Sequence, residues 1–195
     1  MIANGLTFDL DGLAPGQAAM APPRRHLYRL EEELDLDRLE AVDLRPGPHL
    51  SAGGRLLPVV RALAGLAARL ADLPGARAVA WHPSRSWCAV GHFRDSVQRW
   101  TEGGVFPAFA LAALSPSADG SIQSEGLVLL TGQELRLESE LTQDRAAGAK
   151  IALRLLHWLV ETGPINDGQL IVGPEGEPLR VEPSENGRFV RVWKG

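Results

Sequence analysis

Two aspartates spaced two apart, Asp9 and Asp11, end a short strand-like run in the string LTFDLDGLAPG. A phosphoryl-transferring hydrolase presents its carboxylate nucleophile in this way, with the second aspartate as acid/base. The chemistry also needs a phosphate-binding Ser or Thr, a lysine to neutralise charge and a late acidic pair to hold Mg²⁺. Lysine occurs only at Lys150 and Lys194, the first within a strongly amphipathic segment, and Asn166-Asp167 is not a pair of aspartates following a strand. After Gly12 the chain reads LAPGQ, where a threonine and a helix start are required. A turn in which Asp11-Gly12 closes a strand is the stronger reading, and Asp9 stands as the catalytic alternative.

The string HPSRSWCAVGHF, residues 82–93, offers a second chemistry. His82, Cys88 and His92 could supply three zinc ligands and leave a fourth position to water. The same residues could form a Cys88 nucleophile with His92 or His82 as its base. Gly91 weakens a helix face shared by Cys88 and His92, and a free cysteine is among the most buried residue types, so the competing reading is a structural thiol. Glu134, Glu138 and Glu140 alternate along a polar strand face. Two such carboxylates could do glycosidase-type acid/base work, and a solvated sheet face is the alternative favoured. His157, late in a helix, fits a favourable contact with the carbonyl end of that helix. GPEGEP lacks the Lys-Ser/Thr of a phosphate loop. No metal or other cofactor is therefore expected.

Five tryptophans remain, Trp81, Trp87, Trp100, Trp158 and Trp193. Side chains of this size belong to cores or to interaction hot spots. Trp87, in the polar string PSRSWCAVG, is expected to be partly exposed, and with His82 and Arg85 it forms the expected binding set. The alternative places all five in the core.

The chain has 195 residues, 45% hydrophobic and 23% charged, which suits one globular domain spanning 1–195, with an irregular N-terminal segment over 1–54 and a core over 55–195. A net charge of -4 and only small basic clusters argue against a nucleic-acid partner. The single cysteine permits no intrachain disulfide, and no basic and apolar leader opens the sequence, so a cytoplasmic protein is expected. The apolar run over 56–73 is interrupted by Arg61 and Arg69 and is too polar for a membrane span.

The elements follow from periodicity and punctuation. Residues 26–30 alternate as a strand and the acidic run after them favours a short helix. Leu56, Val59, Val60, Leu63, Leu66, Ala67, Leu70 and Leu73 share one helix face, stopped by Pro74-Gly75. A strand is expected over 76–81, a helix over 90–101, and strands over 105–114, 126–132 and 134–140. A second long helix runs over 142–162 with Thr142 as its N-cap, and a three-strand meander follows, turning at PEGEP and at Asn186-Gly187. The expected class is α+β, a two-layer sandwich of mainly antiparallel sheet with the two long helices on one face.

In order, a long helix, GARAVAWHPS, GHF, a strand ending in TG, then EL, and a long helix followed by INDGQLIVG occupy roughly residues 55–173. This succession resembles the bacterial family catalogued as domain of unknown function 4261. The segment between the glycine and the Glu-Leu pair is shorter here than is usual in that family, and the first fifty residues match poorly. The resemblance implies an α+β fold, no assigned activity and no catalytic residue to carry over. The function expected is non-enzymatic binding of another protein or peptide, with no nucleic-acid or membrane partner. The alternative is a small hydrolase using Asp9, Cys88 or the Glu134/Glu138 face. Oligomeric state is not legible.

Overall fold

The computed structural model describes residues 1–13, 15–30, 34–50 and 52–195. It has the α+β class expected, with sheets rich in antiparallel pairs. By internal contacts the chain divides into two compact units, Met1–Ala110 and Leu111–Gly195. Among the described residues, no helix is long and apolar enough to cross a membrane.

The first unit opens with a hairpin of β1 (Ile2–Ala3) and β2 (Leu6–Asp11), turned by Asn4 and Gly5, both at positive φ as a tight hairpin turn requires. β3 (His26–Tyr28) follows, then a 3-10 turn at Leu36–Arg38 capped by Asp35, and β4 (Asp43–Pro46), which pairs antiparallel with β2. The acidic run at 31–33, on which a short helix is expected, lies outside the described residues. α1 (Leu57–Leu70) has a proline in its first turn, where no amide donor is missed, and it buries Val59, Ala62 and Leu66 against Ala3 and Phe8. Among the described residues, segment 1–54 therefore carries four strands, and Phe8 is part of the core.

β5 (Ala78–Trp81) turns through His82–Ser84 into β6 (Ser86–Ala89), with Arg85 in the left-handed region at φ 50°. β6 is the central strand of the order β3-β6-β5, parallel to β3 and antiparallel to β5. α2 (Val90–Thr101) has the expected bounds and buries Phe93, Val97 and Trp100 at steps of four and three.

The expected strand over 105–114 is not formed. α3 (Ala108–Leu111) is followed by β7 (Ala113–Pro116). Pro107 stands just before a short alanine-rich run with high helix propensity, and its carbonyl accepts from the Ala110 amide at 3.0 Å. The second unit continues with β8 (Ile122–Glu125), and then α4 (Val128–Thr131) replaces the strand expected over 126–132. β9 (Glu134–Leu137) is shorter than expected, since Ser139–Leu141 form a 3-10 turn.

α5 (Arg145–Thr162) is capped by Asp144, not Thr142. The Asp144 carboxylate accepts from the amides of Ala146 and Ala147 at 2.8 and 3.2 Å, while Thr142 Oγ1 donates to the Ser139 and Gly120 carbonyls. The meander forms as expected: β10 (Gln169–Val172), β11 (Pro178–Pro183) and β12 (Phe189–Lys194). The six-stranded order is β10-β11-β12-β9-β8-β7, antiparallel throughout except for β12 against β9. The strands thus form three sheets among the described residues, with α1 in the first unit and α5 in the second.

Candidate functional site

The residues singled out from the sequence do not assemble into one site. Asp9 and Asp11 share a face of β2, where pairing sets them opposite Arg45 and Asp43. Arg45 forms an ion pair with Asp11 at 2.6 Å and approaches Asp43 at 3.7 Å. A Cβ at Gly12 would collide with the Ala41 carbonyl, and its φ of 90° suits glycine, so Asp11-Gly12 is the strand-closing turn. Cys88 is buried in β6 and its Sγ donates to the Phe109 carbonyl at 3.1 Å. Burial pushes its thiol up to about 12, which keeps it protonated and poorly nucleophilic. His92 lies in the first turn of α2, its pKa lowered by burial and by the nearby Arg29 and Arg99 charges. His82 is exposed, 4.0 Å from Asp43. Among the described residues no group of three His, Cys, Asp or Glu side chains could hold a metal ion.

The acidic strand face is also taken up by structure. Glu134 accepts from the amides of Gly126, Leu127 and Val128 at 2.8, 3.2 and 3.1 Å, and from Ser124 Oγ. This local capping outweighs the strand pattern of residues 126–132 and winds them into α4. Glu138 Oε1 accepts from Arg136 Nε at 2.9 Å and Arg191 Nε at 2.7 Å. Glu140 accepts from the Lys194 amide at 2.7 Å. Each carboxylate has its own partners.

Trp87 is only 7% exposed, contrary to expectation. It lies on the central strand β6, donates Nε1–H to the Pro22 carbonyl at 3.3 Å and carries the Arg24 guanidinium over its ring. The polar string around it is a strand with a neighbour on each side. Arg85 is half-buried, so the set Trp87, His82 and Arg85 offers no common exposed surface. Trp81 and Trp100 are buried too, whereas Trp158 and Trp193 are half-buried, both in the second unit.

Trp193 lies on β12, two strands in from the edge, and Trp158 stands beside the edge strand β10. Its sequence, QLIV, has no charge and no proline, and Leu170 and Val172 are 70% and 64% exposed. Natural edges are usually blunted by charge, proline or cover. Register places Leu170, Arg180 and Trp193 side by side on one face, with the Arg180 and Arg191 guanidinium groups 4.8 and 4.7 Å from the Trp193 ring centre. On the other face, Ile171 lies beside Leu179, and a cleft of about 230 Å³ opens between β10 and α5. Leu155, Trp158, Ile171 and Leu179 line it, with Arg154 at the exposed rim.

Beyond Pro174 the cleft meets a wider one of about 740 Å³ bordered by Glu140, Asp144, Glu175, Glu177 and Lys194. Its carboxylates serve the fold: Glu140 and Asp144 as above, Glu177 by accepting from the Glu175 amide, and Glu175 beside Lys150 Nζ at 3.6 Å. The apolar edge was within reach of sequence reasoning. The first strand of a terminal meander has one sequential neighbour, and an uncharged QLIV there marks an unguarded edge.

Comparison with family models, curated proteins and solved structures finds no match for this chain.

Proposed function

We propose that this protein is a non-enzymatic cytoplasmic binding module that takes up an extended peptide segment of another protein along β10. The observation that carries this is the uncharged edge strand with Leu170 and Val172 exposed beside an apolar cleft. An added strand would satisfy the outward amide and carbonyl groups of β10 while its alternate side chains enter the cleft or cover Leu170. Covering Leu170 and Val172 would contribute about 2–4 kcal/mol together before the cost of ordering the peptide. The buried, protonated Cys88 and the committed Glu134 and Glu138 favour binding over hydrolysis.

The test is selection of a displayed random-peptide library on the full chain. Selected peptides are expected to slow amide hydrogen exchange over 169–172 and to lose binding in Leu170→Lys/Val172→Lys, a double variant with unchanged melting temperature. Selected peptides that bind this variant as tightly as the parent would sink the proposal, as would a selection that yields no binder.

A further inference from the structure

We infer that the bound segment carries an acidic side chain two positions from an apolar one, the apolar residue filling the cleft and the acidic residue meeting Arg154. This rests on the strand-addition reading of β10.

The cleft has an apolar floor and one cationic rim. Leu155 and Leu179 are buried beneath it, and Ile171 and Trp158 are half-buried walls. Arg154 is exposed, and among the described residues it makes no hydrogen bond or ion pair. Of the other long cations near this edge, Lys150 is paired with Glu175, Arg180 with Glu182 at 3.5 Å and the Trp193 ring, and Lys194 borders the wide cleft two strands in from β10. Arg154 is therefore the cation on the narrow cleft that is open to a partner, placed where a strand beside β10 would pass.

Spacing agrees. Arg154 and Trp158 stand one turn apart on α5, about 6 Å along its axis. Side chains on one face of an extended peptide repeat every second residue, at about 6.7 Å. The wide cleft joins the first turns of α5 to the turn after β10, and the narrow cleft joins residues 154–158 to residues 171–174. Helix and edge strand thus run past one another in opposite directions. A peptide lying along β10 keeps company with the helix over that full step, so one side chain reaches the floor beside Trp158 while its neighbour two residues away reaches Arg154. A second copy of this chain in the same place is disfavoured, because its QLIV edge brings no carboxylate to Arg154.

An array of synthetic peptides with amidated C-termini, in which Glu, Gln or Lys is scanned around a fixed leucine in an alternating background, tests this on the full chain. Glu two positions from the leucine is expected to bind about fivefold tighter than Gln, and Lys weaker than either. Arg154→Glu should invert that order and Arg154→Ala should flatten it, both at unchanged melting temperature. Binding that disappears in Leu170→Lys/Val172→Lys yet ignores charge at that position overturns this inference and leaves strand addition standing. A carboxylate effect seen only with free peptide C-termini overturns it equally. An array with no β10-dependent binding overturns both proposals.

Discussion

Trp87 and Trp158 make an instructive pair, because local sequence points to the wrong one as the surface residue. Trp87 sits among Ser, Arg and Pro, yet β6 has strands on both sides and its indole is closed in by Pro22 and Arg24. Trp158 sits in the apolar string LLHWLV of a long helix, yet it looks past the last strand of a sheet and stays half-exposed. The pairing of β6 between two strands closes in Trp87, and the unpaired side of β10 leaves Trp158 open beside it. That is a property of pairing over long sequence distances, and immediate neighbours do not report it.

Truncation gives the sharpest contrast. Trp87→Ala removes a buried side chain and its hydrogen bond and should cost about 3–5 kcal/mol. Trp158→Ala should cost about 1 kcal/mol, in keeping with a half-buried wall. Cys88, the only cysteine and the strand neighbour of Trp87, supplies a local reporter. Its alkylation by a neutral thiol reagent should be slow in the parent and in Trp158→Ala, and much faster in Trp87→Ala. Equal rates in the two variants would erase the distinction between these two tryptophans.

A smaller effect is expected at Glu134, which separates the second unit's committed carboxylates from its open edge. Glu134→Ala leaves the Gly126, Leu127 and Val128 amides without their acceptor and should cost about 2–3 kcal/mol, read by denaturant unfolding. Glu134→Gln keeps one oxygen acceptor and should recover part of that loss. Peptide selection at β10 should be indifferent to either change, since α4 is not among the elements lining the cleft.

The elements set by local periodicity were legible: α1, α2, α5, β5 and the closing meander stand where apolar spacing and Gly/Pro punctuation put them. The elements that differ from expectation are those decided by a partner outside the segment itself. Residues 126–132 have a strand's composition, and the Glu134 carboxylate, arriving from β9, caps the amides that open α4 within them. β6 reads locally as a polar string, and its four residues become a strand between β3 and β5. The site failed to emerge for the same reason. Asp9, Cys88, His92 and the glutamates are residue types that do chemistry, and the structure engages the glutamates and Cys88 in caps, ion pairs and burial. The exposed edge is made of Leu and Val, which carry no catalytic signature and are marked only by the missing charge of QLIV.

Acid stability provides the gentlest test of how the two units differ. Burial alone would raise the Glu138 pKa, but the hydrogen bonds from Arg191 and Arg136 outweigh it and leave the carboxyl below its ordinary value of 4.5. A depressed folded-state pKa means that the unfolded chain takes up the proton first. The stabilisation is therefore complete above about pH 4.5 and is lost as pH falls through the depressed folded value. Glu138→Gln should lower stability at neutral pH by about 1 kcal/mol, and its unfolding free energy should fall less steeply below that pH. The difference should appear in β11 and β12, where Arg191 is anchored, and not in β6, whose hydrogen exchange then serves as the internal control. An identical acid limb in parent and variant would mean that the Arg136–Glu138–Arg191 cluster contributes nothing beyond a solvated face, and that the second unit's carboxylates are no more committed than those on β2.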